Sequence, residues 1–175
     1  MKVNMNRISV FSHNDFDEKM YRLGLDFSNV SDESDKAFIS IIGTPQCIEH
    51  YLHSNDTHYF PENTHNVLNL DFDDIDDEKR EWKDQIFYGI SEEQAKQCVE
   101  FIEKNIGKNF YIHCRAGKSR SQGICRYILD MYGSEYGYDE KLSCRKENPC
   151  HTPNMRVVTM LKREFYKMKG YNLEN

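Results

Sequence analysis

The sequence predicts an α/β fold, with a central, mainly parallel sheet of about four to five strands flanked by helices. Short apolar runs rich in β-branched and aromatic residues alternate with longer segments of helical periodicity. Strands that alternate with helices in this way are typical of parallel sheets. The length of 175 residues and the lack of repeats or low-complexity linkers predict a single domain over residues 1–175.

Four strands are predicted from apolar runs at residues 8–11, 37–42, 67–70 and 110–112. Each run has the composition of a strand and is followed by a turn or a polar signal. Continuous apolar runs occur where both faces of a sheet are covered, so we expect at least two of these strands to be buried.

The clearest helical pattern covers residues 91–106, where apolar side chains recur on one face. Ser91 and Gln94 have the spacing of a capping box at its start, and Gly107 provides a stop at its end. The local signals therefore predict both ends of this helix.

Three further helices are predicted at residues 45–53, 120–132 and 153–168. The first and last follow a threonine and a proline, which suit the cap and the first position of a helix. The middle helix begins at Arg120 and is expected to end at Tyr132, before Gly133. We interpret the stretch from Tyr132 to Tyr138 as a loop.

The distribution of charge excludes one class of function and favours another. The net charge is −6, and residues 1–109 carry 11 Lys/Arg against 22 Asp/Glu, whereas residues 110–175 carry 12 against 7. An acidic chain is a poor general binder of nucleic acid, but the basic part is compatible with a local anion site. No apolar run reaches 18 residues and no secretory signal is evident. We therefore expect a soluble cytoplasmic protein with no stable membrane association.

The residues with the clearest chemistry follow the predicted strand at 110–112. They read HCRAGKSRS and are called here the anion loop (residues 113–121). Sites in parallel sheets form beyond the carboxyl ends of the strands, and the start of the next helix would direct N–H groups and a positive dipole at a bound anion. The expected anion-binding residues are His113, Arg115, Ala116, Gly117, Lys118, Ser119 and Arg120.

Cys114 is the expected nucleophile within this loop. We expect it to be a thiolate at neutral pH, because thiols at helix amino termini and beside cations ionise more readily. The guanidinium of Arg120 would hold two oxygens of a phosphate group, and Ser121 would donate a hydrogen bond to the departing sulfur. His113 is expected to shape the loop, and Gly117 suits a tight turn or a close approach to the ligand.

The anion loop resembles the HCxxGxxRS loop of cysteine-based protein tyrosine and dual-specificity phosphatases at every fixed position. The resemblance extends over about residues 7–168 and is closest to compact enzymes of bacterial or viral type. It implies the sheet architecture of that family, no metal or other cofactor, and hydrolysis of phosphomonoesters through a phosphocysteine intermediate. The implied substrate is a phosphorylated protein, with a preference for phosphotyrosine and activity on phosphoserine or phosphothreonine as a further expectation.

The acidic segment (residues 71–78) is expected to supply the proton donor for the leaving group. Because neighbouring carboxylates repel one another, one of them is expected to be protonated near neutral pH. Aligning this stretch with the dual-specificity family places the donor at Asp74, with Asp73 as second choice and Asp71 as third. The Trp-Pro-Asp triplet of the larger tyrosine phosphatases is missing, and Trp82 lies too late to replace its tryptophan.

Several other functions remain open at this stage. Arg115 and Lys118 resemble the basic pairs of phosphoinositide phosphatases, although Ser121 and Gln122 stand where those enzymes have Thr-Gly. An RNA 5′-triphosphatase would have a different loop, and a non-catalytic phosphate-binding pseudophosphatase would bind without turnover. The run from Asp71 to Asp73 is similar to the magnesium-dependent haloacid dehalogenase signature, but that interpretation leaves the anion loop unexplained.

The six cysteines are expected to be reduced thiols, as is usual inside cells. The spacing does not decide which of three others could form a disulfide with oxidised Cys114: Cys47, Cys98 or Cys125. Three residues near the carboxyl terminus have no recognised zinc-ligand spacing and are predicted to lie in a surface loop: Cys144, Cys150 and His151.

Overall fold

Four parallel strands form the central sheet in a computed structural model that describes residues 6–45, 58–138 and 152–171. In chain order they are β1 (Ile8–Phe11), β2 (Lys36–Ile42), β3 (Val67–Asp71) and β6 (Asn109–His113), and their order in the sheet is β1-β6-β2-β3. The α/β class and the parallel sheet flanked by helices are confirmed. Strand β2 is buried from Ala37 to Ile42, as its continuous apolar run predicts.

A second, two-stranded sheet was not predicted from the sequence. Strands β4 (Lys79–Trp82) and β5 (Gln85–Tyr88) form an antiparallel hairpin. Its two turn residues, Lys83 and Asp84, both have positive φ, at 47° and 62°. This is the backbone of the turns that fit a twisted hairpin, but it is usually signalled by Asn-Gly or Asp-Gly. In addition, β4 consists mostly of charged residues, which are not typical of a strand, so the sequence did not predict it.

Within the described ranges, four longer helices flank the sheet: α1 (His13–Leu23), α2 (Glu92–Asn105), α3 (Arg120–Tyr136) and α4 (Met155–Met168). Helix α2 begins with the predicted capping box between Ser91 and Gln94. Helix α1 was not predicted, because it buries only Phe16 and Met20 and its other side chains are polar or exposed. A short 3-10 helix covers Val30–Asp32.

Two predicted helix boundaries were wrong. Helix α3 continues through Gly133 to Tyr136 and ends at Gly137, whose φ of 69° is the left-handed cap expected of glycine. Helix α4 is capped by Asn154, whose side chain accepts a hydrogen bond from Val157 N, and not by the preceding threonine. The predicted helix at 45–53 lies almost entirely outside the described residues. The described residues also do not include Cys47, Cys144, Cys150 and His151.

The sheet separates two buried clusters because side chains alternate between its faces. On one face, Ile39 and Ile41 pack in the larger cluster with residues of α2, α3 and α4. On the other face, Phe38 packs with Phe16 and Met20 of α1. Both faces are therefore covered, and the carboxyl ends of the strands remain free to carry a site. Within the described ranges, none of the helices is long and apolar enough to span a bilayer.

Gly123 allows the close packing of α3 against the start of α4, and its substitution tests that packing. A Cβ atom at Gly123 would lie 2.9 Å from both Asn154 O and Val157 Cβ. We expect Gly123→Ala to lower the free energy of unfolding by about 1–3 kcal/mol through overpacking, measured by urea denaturation.

Gly133 in the same helix provides the matched control. The nearest contact of an added Cβ there is 3.7 Å, to Tyr138 O, so there is room for a methyl group. Gly133→Ala should stabilise the protein by up to about 1 kcal/mol through helix propensity. Equal effects of the two substitutions would contradict the packing described here.

Candidate active site

The anion loop connects the carboxyl end of β6 to the amino terminus of α3. Gly117 turns the chain with a φ of 67°, and a Cβ atom there would lie 2.6 Å from the backbone of Phe11 and Ser12. The loop is further attached to the β1–α1 junction by the His13 N–H group, which donates to Arg115 O at 3.1 Å. Only glycine fits this turn, so the predicted need for Gly117 has a steric basis.

The Cys114 thiol lies between this loop and the first turn of α3. Its side chain is buried, and its Sγ is 3.1 Å from Oγ of Ser121, within hydrogen-bond distance. The N–H groups of the first helical turn have no partner within the helix, and the helix dipole is positive there. The sulfur is therefore beside a region that favours negative charge.

Arg120 carries a buried donor that needs a partner. Its Nη1 donates to the carbonyl oxygen of Phe72 at 2.8 Å, whereas its Nε is buried and has no hydrogen-bond partner among the described residues. Burying an unsatisfied donor on a charged group is costly. The bond to Phe72 thus holds the Arg120 side chain at the edge of the cavity that Cys114 also lines.

Asp74 is the predicted acid that the structure connects to the anion loop. Its carboxyl group is exposed, and Oδ1 accepts hydrogen bonds from Ser119 Oγ at 2.7 Å and from Asn154 Nδ2 at 2.9 Å. Asp74, Cys114 and Arg120 line one cavity. The three groups singled out as nucleophile, anion ligand and acid are thus brought together.

The second and third choices for the acid have other partners. Asp73 is buried, and its carboxyl oxygens accept hydrogen bonds from Thr44 N at 2.9 Å, Thr44 Oγ1 at 2.8 Å and Tyr88 N at 2.8 Å. Asp73 lines the same cavity, but its carboxyl oxygens already accept hydrogen bonds from these three donors. Asp71 is exposed and contacts Nε2 of His58. The geometry therefore favours Asp74 as the group that is free to exchange a proton with a ligand.

His113 lies beneath the loop and does not face the cavity. It is fully buried, with its ring 4.4 Å from that of Phe16 and 5.3 Å from that of His13, between centroids. Burial, assisted by the nearby His13 and His58, lowers the pKa of His113 from 6.5 to about 3. A neutral, packed imidazole agrees with the expectation that His113 shapes the loop.

The cavity above Cys114 has a volume of about 480 Å³. Most of its floor is formed by the anion loop, where Arg115, Ala116 and Lys118 are exposed. Its opposite side is formed by the acidic segment and by three residues of the β4–β5 hairpin: Arg80, Trp82 and Phe87. Sequence reasoning placed the acidic segment at the site but missed the hairpin, together with the contacts of Thr44 and Asn154. The alternation of large side chains at Arg80 and Trp82 was the available sequence signal for a strand there.

The other described cysteines do not line this cavity. Cys98 and Cys125 are fully buried in the larger core cluster, as expected for packed thiols. Burial raises the pKa of Cys98 far above its usual range. Across the described ranges, no group of three or more histidine, cysteine or acidic side chains is arranged to hold a metal ion.

The pKa of His113 predicts how stability depends on pH. The unfolded imidazole binds a proton near pH 6.5 while the folded one resists protonation until about pH 3. The stabilisation is therefore complete above pH 6.5 and is lost as the pH falls through this interval. Between pH 7 and pH 5 we expect the free energy of unfolding to fall by about 2 kcal/mol from this residue.

Urea denaturation at several pH values checks this effect, with His113→Asn as the comparison. The variant is expected to be less stable at pH 7 but to lose less stability on acidification. If wild type and variant lost the same amount between pH 7 and pH 5, the titration would not come from His113.

The described residues thus unite a buried thiol, a guanidinium with an unused donor and an exposed carboxyl group at the carboxyl end of the parallel sheet. Helix α3 begins at the same place. Comparisons with protein-family models, with curated proteins and with solved structures found no match to this chain.

Proposed function

We propose that this protein is a cysteine-dependent phosphomonoester hydrolase of the protein tyrosine and dual-specificity phosphatase type, with the corresponding fold. The observation that carries the proposal is the placement of the Cys114 thiol, the Arg120 guanidinium and the Asp74 carboxyl group around one cavity at the start of α3. A phosphate group held against the loop N–H groups would expose its phosphorus to the sulfur and its oxygens to the Arg120 guanidinium.

In the first step, the Cys114 thiolate attacks phosphorus. A bond forms between sulfur and phosphorus while the bond from phosphorus to the ester oxygen breaks, and Asp74 gives its proton to that departing oxygen. Arg120 and the loop N–H groups stabilise the charge on the remaining phosphate oxygens. The products of this step are the free alcohol or phenol and a phosphocysteine.

In the second step, the Asp74 carboxylate removes a proton from a water molecule that attacks phosphorus. The bond between sulfur and phosphorus breaks, and inorganic phosphate is released. The Ser121 hydroxyl, 3.1 Å from the sulfur, stabilises the returning thiolate by a hydrogen bond. The chemistry needs no cofactor, and Asp74 ends the cycle protonated and ready for the next one.

The partner that suits this site is a phosphorylated protein, with phosphotyrosine preferred and phosphoserine or phosphothreonine as further substrates, in the cytoplasm. One observation favours a second candidate. Arg115 and Lys118 are both exposed on the loop, where they could meet additional phosphate groups of a phosphoinositide. A pseudophosphatase that binds phosphate without turnover is the remaining alternative.

Removal of the nucleophile tests the proposal. In buffer with EDTA, the wild type should hydrolyse an aryl phosphate, and Cys114→Ser should reduce kcat by at least about 10³-fold because no covalent intermediate can form efficiently. Cys98→Ala, which removes a buried thiol in α2, is the matched control and should retain activity. Undiminished turnover by Cys114→Ser would refute the mechanism.

Asp74 is tested by the dependence of the rate on the leaving group. Asp74→Asn should lower kcat by about 10²-fold or more for an alkyl phosphate, whose alkoxide needs a proton, and much less for a nitrophenyl phosphate.

Asp73→Asn is the control for this experiment, since it weakens the bonds to Thr44 and Tyr88. It should mainly lower the free energy of unfolding, by about 1–3 kcal/mol. If Asp73→Asn and not Asp74→Asn showed the leaving-group dependence, the acid would be Asp73.

A further inference from the structure

The β4–β5 hairpin turns one of its two faces to the cavity above Cys114. Pairing places Arg80 opposite Phe87 and Trp82 opposite Gln85, and directly opposed residues at alternate positions share a face. Three of these four residues line the cavity: Arg80, Trp82 and Phe87. Ile86 belongs to the other face. The hairpin therefore has a definite inner side that is directed at the site.

The inner side presents two aromatic rings beside Arg80, whereas the exposed residues of the floor include the cations Arg115 and Lys118. Trp82 remains 54% exposed although it is the largest side chain type in proteins, and Phe87 is half-buried beside it. Arg80, the third lining residue, donates two hydrogen bonds to Asp77, from Nε at 3.0 Å and Nη2 at 2.8 Å. Trp82 and Phe87 are called here the aromatic wall.

The hairpin is fixed in place by the residue next to the proposed acid. The N–H group of Asp73 donates to Tyr88 O at 2.7 Å, and the Asp73 carboxyl accepts from Tyr88 N at 2.8 Å. The Gly89 N–H group closes the base by donating to Glu78 O at 3.0 Å. The base of the hairpin, next to Phe87, is thus fixed relative to Asp74, which lowers the ordering cost of ligand binding there.

We propose that the aromatic wall determines substrate class by packing against the aromatic ring of an aryl phosphomonoester, such as a phosphotyrosine side chain. This inference rests on the proposed phosphatase function. With the phosphate on the anion loop and the ester oxygen directed at Asp74, the leaving group projects toward the hairpin. The cavity volume of about 480 Å³ lies within the range of small-molecule pockets, roughly 300–1,000 Å³.

The same wall disfavours an inositol ring. An aryl ring gains offset or edge contacts with Trp82 and Phe87, whereas a ring bearing several hydroxyl groups would lose hydrogen bonds to water against their apolar surfaces. A serine phosphate has too short a side chain for an equivalent contact. The expected order of preference is therefore phosphotyrosine, then phosphoserine, with phosphoinositides last.

The test compares Trp82→Ala with Trp82→Phe and with Ile86→Ala, which shortens an apolar side chain on the outer face. Each is assayed on one peptide phosphorylated at tyrosine, on the matched serine phosphopeptide and on a short-chain soluble phosphoinositide. Trp82→Ala should lower kcat/KM for phosphotyrosine about tenfold, mainly through KM, and change phosphoserine turnover less than about twofold. Trp82→Phe should restore most of the loss, and Ile86→Ala should behave as the wild type.

The proposal would be overturned if Trp82→Ala lowered kcat/KM equally on all substrates or did not lower it on phosphotyrosine. It would also be overturned if the wild type preferred the phosphoinositide and Trp82→Ala left that preference unchanged. Binding provides a readout independent of turnover, because Trp82 is the only tryptophan in the chain. Phosphotyrosine peptide should change the fluorescence of the Cys114→Ser variant, and phosphoserine peptide should not.

That fluorescence change, together with a lack of turnover by the wild type, would support the aromatic wall while rejecting the hydrolase mechanism. A fluorescence response that is the same for both peptides, or no response despite measured phosphotyrosine binding, would reject the wall. A lack of binding to the phosphotyrosine peptide would reject it as well.

Discussion

The buried carboxyl group of Asp73 is the constraint on which the geometry of the site depends. A carboxyl group removed from water is costly unless hydrogen bonds replace those it loses, and here three donors from Thr44 and Tyr88 do so. These donors lie at the end of β2 and at the base of the hairpin. The burial of one side chain therefore requires two distant parts of the chain to meet beside the end of β3.

The neighbours of Asp73 extend this constraint to the anion loop. The Phe72 carbonyl accepts a hydrogen bond from Arg120, and the Asp74 carboxyl accepts one each from Ser119 and Asn154. Phe72, Asp73 and Asp74 thus connect in turn to Arg120, to the hairpin and to Asn154, the cap of α4. The uneven charge of the sequence acquires a local meaning, because the acidic segment and the basic end of the chain meet across one cavity.

The parts of the fold that could be predicted are those whose signals are local. Strand β2 is a continuous apolar run and α2 has a complete capping box, whereas the hairpin depends on contacts with Asp73 and on left-handed residues without the usual turn sequence. Helix α3 passes Gly133 because the buried Tyr132 and the partly buried Tyr136 pack against the core, which offsets a helix-propensity cost of about 1 kcal/mol. Cys114 and Arg120 belong to one motif, whereas in the sequence only alignment with the dual-specificity family ranks Asp74 above Asp73. Their tertiary contacts then separate the two carboxyl groups.

A motif that binds phosphate cannot by itself choose among phosphate esters. Under the proposed function, the anion loop, Arg120 and the start of α3 would contact the one group that all such esters share, so their contribution to binding would be the same for each. Discrimination requires contacts with the leaving group, and these come from outside the loop. In this chain the side of the cavity opposite the loop is formed largely by the acidic segment and the hairpin, with Trp82 its most exposed apolar side chain. The β4–β5 hairpin has a weak sequence signal because its exposed side chains lack the buried alternation by which a strand is recognised. Under the proposed function, the same exposed side chains are the ones positioned to contact the leaving group and set specificity.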